Sequence, residues 1–357
     1  MLRRRLGAKI CCCWCFANAS SSISTVSKHI LREKSFFSTI TSSTKQEEKD
    51  NEQQQHIVNA IGQPTSATHP HLIESDEFLT PGILRAEYRS RRKALGDLLP
   101  ENSLALMCSG VVSTYPGTHI PSPIAYRQCA DFHYFSGVTQ PHAAMALIKR
   151  SRSDPLEYVL FCRRKEERDE IWNGPRLHPE IAGEHFEADS NSELEDLANT
   201  VRQLISDDRM RVFMDKKWFE KEHADVLEVL NGRSTQTLEI KAQTLRWKKS
   251  VSEIALLKKS ATVNIRGILE AVRASRGLGG VSSTTKHGPI TERDVVNAHE
   301  YVVKSLGADR LAFPTVMGAS DRATVIHYHQ NDRVIHPNDL CLMDAGCEMH
   351  GYVSDVT

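Results

Sequence analysis

The chain has 357 residues, with 45 basic and 45 acidic side chains, so its formal net charge is +0. That balance excludes a polyanion-binding surface spread over the whole molecule. Hydrophobic residues at 40% and charged residues at 25% are ordinary for a globular protein, and no apolar run approaches the ~20 residues of a membrane span. Length alone allows about two or three domains at roughly 150 residues each.

The first 32 residues carry Arg3, Arg4, Arg5, Lys9, Lys28 and Arg32 with no acid before Glu33, and serines and threonines fill the stretch to Thr44. An Arg-rich, Ser-rich, acid-poor start predicts a mitochondrial transit peptide over 1–44, with the matrix as destination. The alternative is a secretory signal, with a short apolar run around Ile10 to Phe16 and Ala17-Asn18-Ala19 as its cleavage site. Residues 45–79 read as a polar linker and lead-in segment. Four of the nine cysteines crowd positions 11 to 15, leaving Cys108, Cys129, Cys162, Cys341 and Cys347 without CxxC spacing. Neither a disulfide framework nor a zinc knuckle follows, so these five are expected to be small buried hydrophobes.

In chain order, a basic helix is predicted over 84–99, ended by Pro100. Short apolar runs over 103–108, 144–148, 158–162 and 211–214 predict strands, with helical spacing between them over 194–205 and 220–230. Alternating strands and helices imply an α/β domain over 80–240. YRQCADFHYF (126–135) reads as a core strand, IWNGPR (171–176) as a turn with an aromatic anchor, and the mixed charges of 163–170 as a solvated face. Within 241–357, Ser250 and Glu253 form a capping box for a long helix whose buried stripe is expected to be Ile254, Leu257, Ala261, Ile265, Ile268 and Val272. Thr291 and Asp294 cap a second helix with Val295, Ala298, Val302 and Leu306 inward. Strands are then predicted over 312–317, 324–328, 340–343 and 351–353.

The chemistry-bearing stretch is DLCLMDAGCEMHGYVSDVT (339–357). A regular hairpin that pairs Glu348 with Gly351 also sets Asp344 opposite Asp355. Two acids facing each other across a ladder repel, and a divalent cation relieves that repulsion because hard cations favour carboxylate oxygens. A pair of solvated acids at the mouth of a turn is the other reading that spacing leaves open. His327 and His329, two apart in a predicted strand, share a face and suit metal ligation, proton transfer or a plain surface role. No phosphate-cradling GxxxxGK[ST], no GxSxG and no HExxH occurs.

Together YRQCADFHYFSG, IWNGPR, Ile326-His327-Tyr328 and DAGCEMHGYVSD, with Gly62-Gln63-Pro64-Thr65 ahead of them, resemble the aminopeptidase P (Xaa-Pro aminopeptidase) family, in its mitochondrial intermediate-cleaving type. The resemblance implies a creatinase-like N-terminal α/β domain followed by a metallopeptidase family M24 domain of the pita-bread fold. It implies two divalent cations, Mn2+ with Mg2+ or Co2+ as alternatives, with Asp344 and Asp355 as ligands and His327 as the catalytic histidine beside the scissile peptide. The implied reaction removes the N-terminal residue from X-Pro peptides or imported processing intermediates. The implied partners are the substrate N-terminus and further subunits, as a homo-oligomer or with full-length subunits through the N-terminal domain. Nucleic acid is not among them.

The family's remaining His and two Glu ligands belong to a second half of the pita bread, after the SDVT segment where this chain stops. His329, His336 and His350 lie too early to replace the missing His, and Glu348 belongs to the turn. The expectation is therefore a C-terminally truncated homologue with the first half of a pita-bread domain, through splicing, an incomplete gene prediction or real truncation. Two carboxylates alone do not hold a dinuclear centre. A non-catalytic oligomerising partner is the competing reading, and a creatinase-fold binding module a further one.

Overall fold

The run Ser103–Cys108 is buried at every position, and so, but for Lys149 at its edge, is Ala143–Lys149. Continuous burial of this kind requires cover on both faces of a sheet. The computed structural model, which describes residues 61–115, 117, 126–277 and 288–357, supplies it. The transit peptide expected over 1–44 and the first part of the linker lie outside these residues. Those described belong to one compact unit, His56–Thr357.

A two-strand ribbon comes first, β1 (Phe78–Thr80) and β2 (Ile83–Leu84), followed by α1 (Arg85–Leu98) and β3 (Ser103–Cys108). Then come α2 (Ala130–Ser136), β4 (Ala143–Lys149), β5 (Glu157–Cys162), α3 (Glu167–Asn173), α4 (Pro179–Phe186) and β6 (Ser190–Glu193). The first half closes with α5 (Leu197–Leu204), β7 (Arg211–Phe213), α6 (Ala224–Val229), β8 (Thr235–Gln236) and α7 (Glu239–Trp247). Six strands form one mixed sheet in the order β6-β5-β4-β3-β7-β8. The β3–β4 and β4–β5 pairs are antiparallel and the outer three are parallel. Successive residues go to opposite cores. Ala105, Met107, Met145, Leu147 and Leu160 pack with α1, α2 and α4, whereas Leu104, Leu106, Ala146, Ile148 and Phe161 pack with α5 and α6.

The helix α1 buries two arginines, Arg91 and Arg92, each 5% exposed. Arg91 lies over the Tyr134 ring at 4.1 Å and pairs with Glu87 at 2.5 Å, which disperses its charge without water. Gln63 joins the lead-in segment to the same core, donating to the Gly137 carbonyl (3.3 Å) and accepting from the Thr139 N–H (3.0 Å).

The second half contains α8 (Val251–Ser275), α9 (Glu292–Ser305), β9 (Arg310–Leu311), β10 (Val316–Ala319), β11 (Cys341–Asp344), β12 (Cys347–Met349) and β13 (Tyr352–Val353). The capping box of α8 is present: Ser250 N–H donates to Glu253 (2.9 Å) and Glu253 N–H to Ser250 Oγ (3.1 Å). At α9, Thr291 N–H donates to the Asp294 carboxylate (2.8 Å). The two helices pack together, and against β12, β13 and β10.

Several expectations are corrected. The segment 126–137 holds the helix α2, because Phe132 and Phe135, three apart, are buried together and Gly137 closes the last turn at φ 75°. Trp172 lies in the last turn of α3 and is 81% exposed, so it is not a buried anchor. The stretch 324–328 is a 3-10 turn over Ser320–Thr324 and then a loop. Cys341 is exposed, whereas Cys108, Cys129, Cys162 and Cys347 are buried. The largest correction concerns α8. Ile254, Ile265 and Val272 lie 42%, 49% and 46% exposed, while Leu256, Ser260, Val263, Asn264, Gly267, Ala271 and Ala274 face inward. The charged segment 163–170 is solvated over most of its length, with Arg164 paired to Glu193 at 2.7 Å.

Candidate metal centre

Asp344 closes β11, opposite Val316 of β10. Asp355 follows β13 and is exposed. The hairpin between them turns on His350 and Gly351 rather than on Met349 and His350: Met349 pairs with Tyr352, and Glu348 with Val353. His350 (φ 52°) and Gly351 (φ 87°) are both left-handed, the signature of a type I′ turn. His350 is held there by its N–H, which donates to Asp309 at 2.5 Å.

Moving the turn one residue along the chain shifts the pairing of the whole ladder by two residues. Ala345 bridges Val356, with Ala345 N–H donating to the Val356 carbonyl (3.0 Å) and Val356 N–H to the Ala345 carbonyl (3.1 Å). The expected direct opposition of Asp344 and Asp355 is therefore replaced by a diagonal. A slip of two keeps the parity, so both acids still belong to one face, at the diagonal spacing of roughly 7–8 Å between Cα atoms typical of such pairs. Gly346 lies opposite Asp355 on the same ladder, and a Cβ there would run into the Ser354 carbonyl and the Phe313 ring.

Asp344 Oδ1 is buried with no hydrogen-bond partner. A carboxylate oxygen shut away from water and left unbonded is unfavourable, and a hard cation is the partner that suits it. The donor chemistry of Asp344 and Asp355 fits such an ion. Among the described residues, however, no group of three or more His, Cys, Asp or Glu side chains comes together to hold a metal. The pair thus stands as two carboxylates on one face, with no third such group beside it among the described residues.

His327 is exposed in the loop after the 3-10 turn. Its ring stacks on His329, with centroids 6.2 Å apart and planes 11° from parallel. The two histidines share a side, as expected, but through a loop and not through strand alternation. Sequence reasoning missed what shapes that loop. Glu292, fully buried at the start of α9, accepts from Arg322 Nε (2.7 Å), Tyr328 OH (2.8 Å) and the Ala319 and Arg333 N–H groups (3.0 and 3.1 Å). Burial pushes the Glu292 carboxyl up, but these four hydrogen bonds outweigh it and hold the group below the usual carboxylate range. Tyr328 is pinned between the two exposed histidines as a result.

Glu348 is 2% exposed and accepts from Arg127 Nε (2.6 Å) and from Arg310, so both its oxygens are engaged by guanidinium groups. It is a structural anion within the strand β12, where the sequence reading placed it in the turn. Beside it a cavity of about 420 Å³ opens between α2 and the β12–β13 turn, lined among others by Tyr126, Arg127, His133, Arg310 and His350. Asp344, Asp355 and His327 do not line it. The cavity belongs to the junction of the two halves, which is also bridged by Arg91 to Glu253 at 3.7 Å and by Arg91, donating to Tyr352 OH at 3.4 Å.

Above the acid pair, α8 reaches the strand backbone through side chains. Asn264 Nδ2 donates to the Ala345 carbonyl (2.8 Å), and Ser260 Oγ to the Cys347 carbonyl (2.8 Å). His299 Nε2 lies 2.8 Å from Asn264 Oδ1. Burial lowers the His299 pKa to about 4, so the ring is neutral at pH 7.

Residues 88–213 match the aminopeptidase P N-terminal domain, and residues 255–357 match metallopeptidase family M24. Over 304 residues the chain is 35% identical to the mitochondrial intermediate cleaving peptidase 55 of Arabidopsis thaliana, covering 84% of this chain and 57% of that protein. It is 30% identical to Xaa-Pro aminopeptidase 3 of Dictyostelium discoideum, with the same coverage. The chain thus spans little more than half the length of these relatives. Among solved structures, aminopeptidase P of Escherichia coli in its low-pH form superposes with a TM-score of 0.67 at 26% identity, covering 76% of this chain and 61% of that one. A zinc-substituted form of the same enzyme in complex with product gives the same values. The α/β architecture is accordingly that of a creatinase-like N-terminal domain leading into the pita-bread fold. By both of its matched segments the chain belongs to the aminopeptidase P family.

Proposed function

We propose that this chain is a metal-dependent aminopeptidase homologue acting on the first residue of X-Pro peptides or of imported mitochondrial processing intermediates. Residues 80–240 serve as its N-terminal domain and 241–357 carry the metal-binding part. The observation that carries the reading is the orphaned, buried Oδ1 of Asp344 on the same ladder face as Asp355. Asp344 and Asp355 would hold the cation, with Mn2+ as the preferred ion and Mg2+ or Co2+ as substitutes. When bound, such an ion activates water and polarises a peptide carbonyl. The residues of this chain have other tasks: Ala345 and Val356 keep the two carboxylates on one face, and Glu292 fixes the loop that presents His327 toward the substrate. The similarity to a mitochondrial intermediate cleaving peptidase and to an Xaa-Pro aminopeptidase supports both the substrate classes and a mitochondrial location. The Arg-rich start of the chain agrees with that location.

The lack of a third ligand group among the described residues favours a second reading, in which the chain acts as a partner of longer homologous subunits through its N-terminal domain. One experiment separates the two. The purified chain is incubated with Mn2+ and an X-Pro peptide, alone and mixed with a longer homologue. Release of the first residue by the chain alone, lost in Asp344→Asn, is expected for catalysis. No release alone, together with co-purification with the longer subunit, overturns catalysis by this chain and supports the partner role.

A further inference from the structure

A 25-residue helix that turns isoleucines outward and buries a serine, an asparagine and a glycine requires an explanation. Side-chain amides are costly to bury unless both ends are bonded. Both ends of Asn264 are. Its nitrogen is committed to the Ala345 carbonyl, so its oxygen must accept, and His299 must therefore carry its proton on Nε2. That leaves His299 Nδ1 buried without a partner, a second unfavourable feature that the arrangement tolerates. Gly267 makes the arrangement possible, since a Cβ there would lie 2.6 Å from His299 Cδ2.

The acceptor at the end of this relay is the informative part. The Ala345 carbonyl already takes the Val356 N–H, so Asn264 occupies its second lone pair. Ala345 directly follows Asp344, and Val356 directly follows Asp355. One rung on, Ser260 does the same to the Cys347 carbonyl, which also takes the Ser354 N–H at 2.9 Å. Two consecutive rungs between the acid-bearing strands are thus clamped from the helix.

We propose that Asn264, oriented by His299 and assisted by Ser260, is a positioning residue for the Asp344–Asp355 pair, locking the rung that holds both carboxylates on one face. The proposal rests on the metal-site reading for its purpose, and on the hydrogen bonds alone for its mechanism. The substitution Asn264→Asp keeps the size and removes the donor, setting a carboxylate oxygen against the Ala345 carbonyl. Ser260→Ala is the gentler variant, and Val201→Ala, on the buried face of α5, is a control for general destabilisation.

Amide hydrogen exchange is followed residue by residue in the full chain, and Mn2+ affinity is measured by the EPR signal of the free ion. In Asn264→Asp the Ala345 and Val356 amides are expected to exchange at least ~10-fold faster relative to the control, and Mn2+ to bind about 10–100-fold more weakly. If Asn264→Asp does not fold, Ser260→Ala is expected to speed exchange at Ser354 above the control. Exchange accelerated equally in variant and control overturns the positioning role, as does exchange left unchanged. Accelerated exchange at these amides in a protein whose unsubstituted form takes up no Mn2+ supports the clamp and overturns the metal reading instead.

Discussion

The two halves of the molecule bury their helices and strands by different rules. In the six-stranded sheet every apolar run is core, and the alternate residues of β3, β4 and β5 feed two apolar layers. In the second half α8 leaves Ile254, Ile265 and Val272 at the surface and spends its inner face on Ser260, Asn264 and Gly267. The first half is held by transfer of apolar area from water. In the second, part of the inner face of α8 is selected for what it does to carbonyl groups of the strands beneath. Residues that look like filler in a helix, Ser260 and Asn264, are there the ones bonded to the strand carbonyls.

Three perturbations sharpen this contrast. Phe161, fully buried in β5, is expected to show the largest effect: Phe161→Ala lowers unfolding free energy by about 3–5 kcal/mol, measured by urea titration. Acid comes next. His299 has a folded-state pKa of about 4 caused by burial, below the ordinary 6.5, so the unfolded chain takes up a proton that the folded chain refuses. Its contribution to stability is complete above pH 6.5, declines as pH falls from about 6.5 to 4, and is level below that; the loss is on the order of 3 kcal/mol. Burial lowers His185 and His133 in the same direction, His133 also through Arg91 and Arg127. The expected result is a stability curve falling through this window and made shallower by His299→Gln; a flat curve speaks against a buried neutral His299. The smallest effect belongs to the exposed stripe. Ile265→Ser is expected to change stability by less than about 0.5 kcal/mol, whereas a loss above ~2 kcal/mol would mean that this face is covered.

Much of the fold was legible beforehand, and the failures have physical causes. The strands of the sheet read directly because burial on both faces leaves uninterrupted apolar runs. Both capping residues, Ser250 and Thr291, read directly because a cap is a local bond between near neighbours. The α8 stripe did not, since periodicity finds the apolar face and cannot know that Ala345 and Cys347 carbonyls await partners 81 and 87 residues away. The acid pair was legible as a pair but its register was not: the left-handed conformation of His350 depends on Asp309, 41 residues upstream. Glu292 carried one available signal, an acid in the first turn of a helix, which is commonplace and says nothing of the Arg322 and Tyr328 groups that converge on it. His327 and His329 do lie together, but through a loop after the 3-10 turn rather than through the alternation of a strand.

Asp344 and Asp355 are proposed to act as one cation site. Titrating Mn2+ into the full chain while following the free-ion EPR signal tests it directly, with Asp344→Asn and Asp355→Asn compared under the same conditions and their folding checked by near-UV circular dichroism. Saturable uptake that each substitution weakens by at least ~10-fold, with the fold intact, is the predicted result. No saturable uptake by the unsubstituted chain, or uptake that neither substitution alters, would contradict it.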